Sequence, residues 1–502
     1  MLSDAEKICK EILQQQPKHF DALHFLGLIA LQTNRAERSV SLIGKAIALK
    51  PDFADAYNNR GLALLALGRH AEALVSYDKA IALQPDYAEA HNNRGLALFA
   101  LRCHAEALAS YDRAIALKPD FAEGYYNRGT ALDDLQHVQE ALVSYDKAIA
   151  LKPDYTEAHN NRGNALEDLQ RYREALVSYD KLIALKPDFA EGQWNKSLCL
   201  LQLGQFKRGW ELFEWRKKLH KPIANRSFPQ PLWLGQQNIA GKTLFIYWEQ
   251  GFGDTLQFCR YAKLVQARGA RVIMSVQDPL LRLLRQMEPA IRLVGDKEKP
   301  GAFDYHCPLL SLPLAMGTTL ETIPSEPRYL AADDRLCAEW ATRLPPKRKP
   351  RIGLVWRGNP VQKNDRNRSM NLAALLPLLH DDAEWICLQQ ELNEEDAALL
   401  ARDGRIAFVG GDLKDFSDTA ALIELMDLVI TVDTGVAHLA GAMGKPVWIL
   451  LCYNTDWRWL TDRNDCPWYP SARLFRQREI GNWGDVVNQV RHELDGMIDR
   501  GA

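Results

Sequence analysis

The chain has 502 residues, too many for one hydrophobic core, and this length predicts about three domains. Its 62 basic and 64 acidic residues nearly cancel, which excludes recruitment of nucleic acid or an anionic membrane by bulk charge. No apolar run approaches the roughly 20 residues needed to cross a bilayer, so no membrane span is expected. The nine cysteines are scattered and none forms a C-x-x-C pair. With a start ("MLSDAEKICKEILQQQP") lacking the apolar core of a secretory signal, they predict reduced thiols in a cytoplasmic protein.

In chain order, the first half is periodic. Pro17, Pro51, Pro85, Pro119, Pro153 and Pro187 stand 34 residues apart, and Gly27, Gly61, Gly95, Gly129 and Gly163 keep the same step. Tyr77, Tyr111, Tyr145 and Tyr179 follow it, with Ala73, Ala107, Ala141 and Ala175. This pattern resembles the tetratricopeptide repeat, a helix pair closed up by small residues. It predicts five repeats from about 18 to 187 and a degenerate sixth, an α-solenoid assigned to residues 1–217. Asp52, Asp86, Asp120, Asp154 and Asp188 are expected to cap the first helix of each pair. Asn59, Asn93, Asn127, Asn161 and Asn195 also recur at 34. An amide offers both donor and acceptor, so this series reads as a ladder for an extended peptide, or as solvated consensus residues. Arrays in protein O-GlcNAc transferases, which these repeats resemble, use asparagines in this way. Phe25 interrupts the series in the first repeat.

Beyond about residue 240 short β-rich runs alternate with helical ones. Strands are expected at 243–249, 271–276 and 291–295, then at 351–356, 384–389, 405–410, 428–432 and 446–451. The proline-rich, basic "LPPKRKP" (344–350) reads as a linker. Alternation of strand and helix predicts parallel sheets with ligands at the carboxyl ends of strands. The assignment is α plus α/β: one Rossmann-like half at 218–343, another at 351–480, and a terminal helix at 481–502.

Two seams between strand and helix carry the functional reading. In "LVITVDTGVAHLAGAMGKP", Asp433, Thr434, Gly435 and His438 stand where free amides and a positive helix end can hold a phosphate. These words closely resemble the D-[ST]-G-x-x-H-x-A-x-A-x-G-x-P signature of heptosyltransferase-like glycosyltransferases, family 9. Upstream, "YWEQGFGDTLQ" places Gly251, Gly253 and Asp254 as in that family's G-x-G-D element. The resemblance spans roughly 240–490. It implies a GT-B fold of two Rossmann-like domains, with Thr434, Gly435 and His438 on a donor diphosphate, Asp433 ordering that loop or touching the donor, and Asp254 as general base. The alternative for Asp254 is a plain helix cap.

The family carries a lysine in the loop after the first strand of the second half. Here "WRGNPVQKNDRNRSMNL" offers Arg368 with Ser369 as the best positional match, and Lys363 and Arg357 nearby. No D-x-D carboxylate pair is present, so no metal and no cofactor are expected, only a nucleotide-sugar substrate. The expectation is a metal-independent inverting glycosyltransferase acting on a hydroxyl of a protein or peptide held by the repeats. A build of repeats followed by GT-B resembles protein O-GlcNAc transferase. The open alternatives are a saccharide-assembly transferase whose repeats only dock it, and a non-catalytic adaptor.

Overall fold

The computed structural model describes residues 2–220, 226–362 and 364–499. Among these described residues thirteen α-helices, from Leu2–Gln15 to Phe206–Phe213, precede ten strands arranged in two parallel sheets. Two compact units meet in the sequence at Asp188 and Phe189.

In the first unit the repeat pattern becomes packing. A Cβ placed on Gly61, Gly95, Gly129 or Gly163 would fall 2.4, 2.5, 2.6 or 2.4 Å from Cε1 of Tyr77, Tyr111, Tyr145 or Tyr179. Glycine is therefore required for the tyrosine ring of the second helix to lie against the first. The expected caps are displaced by one residue. Helices Ala54–Ala66, Ala88–Ala100, Ala122–Asp134 and Thr156–Asp168 have Phe53, Tyr87, Phe121 and Tyr155 at the N-cap, with no side-chain cap bond. The aspartates lie in the preceding turn, and packing decides this choice. Nζ of Lys50, Lys118 and Lys152 sits 4.8, 4.9 and 4.5 Å from the ring centres of Phe53, Phe121 and Tyr155. An aspartate at the cap would forfeit that apolar and cation–π contact.

Successive repeats are stitched by a charged ladder. Nε of Arg94, Arg128 and Arg162 donates backwards to Asp78, Asp112 and Asp146 at 2.7, 2.6 and 2.5 Å. Nη1 of the same arginines donates to Ser110, Ser144 and Ser178 at 2.7, 2.8 and 2.6 Å. Arg60 begins the series, but Gly44 stands where the earlier aspartate belongs, and Arg60 Nε is buried without a hydrogen-bond partner. A Cβ on Gly44 meets nothing within 4 Å. Gly44→Asp should therefore stabilise the array by about 1 kcal/mol in urea unfolding, part helix propensity and part the restored pair. In an Arg60→Gln background the gain should shrink to a few tenths of a kcal/mol. Equal gains in both backgrounds would leave propensity alone as the cause.

The second unit begins with helices Ala190–Gln202 and Phe206–Phe213, so the sixth pair belongs here although the 34-residue period extends the array to 217. The reason is apolar contact: Trp210 and Phe213, both 2% exposed, join the same core as Phe258, Trp457 and Trp468. The first sheet holds β1 (Thr243–Tyr247), β2 (Arg271–Ser275), β3 (Arg292–Val294) and β4 (Tyr305–Pro308) in the order β3-β2-β1-β4. The second holds β5 (Arg351–Val355), β6 (Glu384–Cys387), β7 (Ile406–Phe408), β8 (Leu428–Val432), β9 (Val447–Leu451) and β10 (Ala472–Arg476), ordered β10-β9-β8-β5-β6-β7. All pairings are parallel. The terminal helix Trp483–Asp499 is part of the second sheet's fold, because Val486, Val487, Val490 and Leu494 pack into its core. No helix among the described residues is long and apolar enough to cross a membrane.

Candidate functional site

Parallel strands deliver the chain to helix starts at one end of a sheet. After β1 the chain turns through "WEQG" into helix Phe252–Phe258, and after β8 it turns through Asp433 and Thr434 into helix Gly435–Ala442. These two helices, one from each sheet, pack on each other. Gly253 makes the approach possible, since a Cβ there would lie 2.7 Å from Cδ2 and 3.3 Å from Nε2 of His438. The two seams singled out in the sequence thus form one site.

His438 is buried in that contact. Its Nδ1 lies 2.9 Å from the Tyr469 hydroxyl, and its ring stacks on Trp459 with centroids 5.3 Å apart. Burial, with the Arg458, Arg260 and Arg368 charges adding to it, pushes its pKa well below the usual histidine value. Both effects favour the neutral imidazole. Where the Tyr469 hydroxyl donates to Nδ1, the ring proton resides on Nε2, the nitrogen beside Gly253.

Asp254 stands at the third position of its helix. Oδ2 accepts the Gly251 N–H at 2.9 Å, a cap in the ordinary sense. Oδ1 accepts from Nη2 of Arg458, which comes from the short 3₁₀ turn Trp457–Trp459 beyond β9. The residue is therefore a cap and an ion-pair partner at once. Burial raises its pKa above the ordinary carboxylate value, the Arg458 charge opposes that rise, and Asp456 adds to it.

Around the other seam, Asp433 is pushed up to about 6 by burial and then by the nearby Asp456 charge, with Arg368 and Arg458 opposing. Thr434 is the N-cap of helix Gly435–Ala442 without a side-chain cap bond, and its Oγ1 lies 3.1 Å from Thr431 Oγ1. Among the basic candidates of the 356–372 loop, Arg368 reaches this seam. Its Nη1 donates to the Asp433 carbonyl at 3.0 Å and its Nε to Asp365 at 3.1 Å. Gly358 leaves room for it, since a Cβ there would lie 2.6 Å from Arg368 Nη2. Ser369 Oγ accepts the Gly358 N–H at 2.8 Å and donates to Asp365 at 2.9 Å, so it shapes the loop. Arg357 is committed elsewhere: Nε donates to the buried Asp396 at 2.6 Å. Lys363 lies outside the described residues. Among the described residues no cluster of histidine, cysteine and carboxylate side chains could hold a metal ion.

The asparagine series is engaged within the array. Nδ2 of Asn93 and Asn127 donates to Asn58 and Asn92 of the preceding repeat at 3.0 and 2.9 Å. Asn161 Nδ2 donates to the Tyr126 hydroxyl at 3.3 Å, and Asn59 Nδ2 lies 3.1 Å from Nε2 of His24. One N–H of each of these four amides is spent on the preceding repeat, a role the sequence reading did not assign. Asn195 belongs to the second unit.

Arg458, Asp456, Gln257, Trp459 and Tyr469 were absent from the sequence reading. The signal available for four of them was the aromatic and charged run "DWRWLTDRNDCPWY" after β9, which matches no motif by itself.

Comparison with known families agrees with both halves of this description. Tetratricopeptide repeat models match residues 42–75, 88–121 and 156–189, and a further TPR repeat model matches 61–101 and 131–170. The glycosyltransferase family 9 (heptosyltransferase) model matches 379–488, a stretch that includes Asp433, Thr434, Gly435, His438 and Arg458. Protein FlbA of Caulobacter vibrioides is 28% identical over 320 residues, covering 59% of this chain and 53% of FlbA. The chain thus spans about half the length of that relative. Among solved structures, the TPR protein YrrB is 22% identical over 38% of this chain and 98% of its own, with a TM-score of 0.32. PilF of Pseudomonas aeruginosa is 21% identical over 40% of this chain and 91% of its own, with a TM-score of 0.38. The chain joins tetratricopeptide repeats to a carboxyl-terminal glycosyltransferase family 9 (heptosyltransferase) domain.

Proposed function

We propose that the protein transfers a sugar from a nucleotide-sugar donor to a hydroxyl of a protein acceptor captured by its repeats, with inversion and without a metal. The observation that carries this reading is the packing of the two seams, Gly253 against His438, which brings Asp254 and the start of helix Gly435–Ala442 into one site. The donor diphosphate would accept the free amides at that helix start and the Arg368 guanidinium, which gather the charge released as the glycosidic bond breaks. Asp254 would take the acceptor's hydroxyl proton as its oxygen bonds the anomeric carbon on the face opposite the departing diphosphate. His438 contributes as a neutral, packed ring that holds the two helices in register.

A protein acceptor is supported by the repeats, whose helical array presents an extended surface suited to peptide segments. The engagement of the asparagine amides between repeats leaves the rest of that surface, rather than the series alone, to read the acceptor.

The test is binding of nucleoside diphosphates and their sugars, scored by thermal shift and calorimetry in EDTA. A ligand at a hundred times its dissociation constant should contribute about 2.7 kcal/mol to stability. Arg368→Ala should weaken binding by about 10- to 100-fold, the loss of a charged hydrogen bond. Binding that vanishes in EDTA and returns with magnesium would show the seam to be misread.

A further inference from the structure

We propose that Arg458 is a positioning residue for this reaction: reaching from the loop after β9 to the helix after β1, it fixes the orientation and charge of the Asp254 carboxylate. The inference rests on the reading of Asp254 as base and names the group that makes it one.

Arg458 is nearly buried, and its guanidinium is fully directed. Nη2 donates to Asp254 Oδ1, Nη1 to Asp456 Oδ1 at 2.8 Å, and Nε to Gln257 Oε1 at 2.7 Å. Two of these partners, Asp254 and Gln257, lie on the helix after β1, so the arginine spans the two sheet domains. Its cation stands 4.3 Å from the Trp457 ring centre and 5.8 Å from that of Phe258.

The loop that presents it is equally fixed. Asp456 caps the 3₁₀ turn by accepting the Arg458 N–H at 3.0 Å. Leu460 follows with φ +55°, a left-handed conformation costly for a leucine, and its carbonyl accepts from Gln202 Nε2 at 2.9 Å. Trp210 meets Trp457 edge-on, with centroids 5.2 Å apart. A side chain merely filling space would not need this support.

The charge balance gives the arginine its purpose. Asp254 and Asp456 both bond Arg458, and Asp433 lies near enough for its titration to feel Asp456 and Arg458. The other acidic, basic and histidine side chains on the elements packed against the pair are His438 on helix Gly435–Ala442, Arg260 and Lys263 on the adjoining helix Arg260–Ala267, and Glu191 and Lys196 on helix Ala190–Gln202, with Arg368 behind Asp433. The 3₁₀ turn Leu309–Ser311, also packed on the helix after β1, carries no ionisable side chain. Without Arg458, a largely buried carboxylate that already feels the Asp456 charge would hold its proton more tightly and be a poorer acceptor of another. With it, Oδ1 and Oδ2 are each anchored by one donor and keep lone pairs for the substrate proton.

The experiment reads the Asp254 carboxyl directly by ¹³C NMR of protein labelled at the aspartate side-chain carboxyl carbon, with Asp254→Asn identifying the resonance. Arg458→Gln removes an attractive charge, so the titration midpoint should rise by about one to three pH units. Asp456→Asn removes a repulsive one and keeps the cap, so the midpoint should fall. Arg458→Lys should stay near the wild-type value. If Arg458→Gln does not fold, the fall in Asp456→Asn, still paired to the arginine, decides the matter. Midpoints that stay put in the folded variants, or move together, overturn the proposal. Asp254→Asn turnover tests the base reading separately, so the two failures are distinguishable.

Discussion

Asp254→Asn is expected to lower sugar transfer, or hydrolysis of the nucleotide sugar where water replaces the acceptor, by about 10²- to 10⁴-fold. The substitution is close to isosteric: an amide oxygen can still accept the Gly251 N–H that Oδ2 accepts now at 2.9 Å, while a donor NH2 replaces the oxygen that accepts from Arg458. Arg458 would keep Asp456 and Gln257 as partners, so no buried cation is orphaned. What disappears is the ability to take a proton. Nucleoside diphosphate affinity should change only a few-fold, because Arg368 and the amides at Gly435 belong to the other sheet domain. A loss confined to turnover is the signature of a group acting in the transition state. Normal turnover in the variant would reduce Asp254 to a helix cap and an ion-pair partner. Attention would then pass to Glu249 in the turn after β1, whose present bond to the buried Arg216 at 2.8 Å would have to be explained.

Periodicity and strand pattern made the fold legible, and the misses have physical causes. The 34-residue step located the second to fifth helix pairs because glycine and tyrosine are forced together there, with no room for a Cβ at Gly61 or Gly95, while in the first pair Gly27 meets Ile43 instead. The strands β4 and β10 were missed. "YHCP" has only four residues and ends in proline, and "ARLFR" sets its two arginines three residues apart, which breaks the period of two that marks a strand. The aspartate caps were displaced because capping preference, worth about 1 kcal/mol, yields to burial of an aromatic N-cap beneath a lysine. At the site, a motif residue was readable where close packing dictates type, as at Gly253 against His438. Arg458 was not, because its role depends on a partner 204 residues away in the chain. Arg357 and Arg368 were indistinguishable by charge alone. Only the position of Asp396 under one and the Asp433 carbonyl beside the other separates them.

A fragment of residues 189–502 should fold, while 218–502 should aggregate or melt far lower. The repeat period suggests a cut near 217, but the physical boundary precedes the sixth helix pair. Trp210 and Phe213 lie 5.2 and 6.2 Å, centroid to centroid, from Trp457, and Trp210 lies 6.5 Å from Phe258. Arg216, wholly buried, donates to Glu249 and to Ser311 at 2.8 and 2.7 Å. Cutting at 217 would strip Trp457 and Phe258 of their cover and remove Arg216 itself, leaving the Glu249 carboxylate buried without its arginine. Each large side chain uncovered costs about 1.5–3 kcal/mol, and breaking a buried ion pair costs about 3–5 kcal/mol. Together these rival the whole stability of an ordinary domain, about 5–15 kcal/mol. Trp210→Ala in the full chain isolates one part of this and should cost about 3–5 kcal/mol in the unfolding of the second unit. Because Trp457 precedes Arg458, the same variant should also loosen the arginine and weaken transfer at temperatures where the fold persists. Equal solubility and equal melting temperatures for 189–502 and 218–502 would show the sixth pair to be an appendage. A clear difference would make it the platform on which the loop after β9, and with it Arg458, is built.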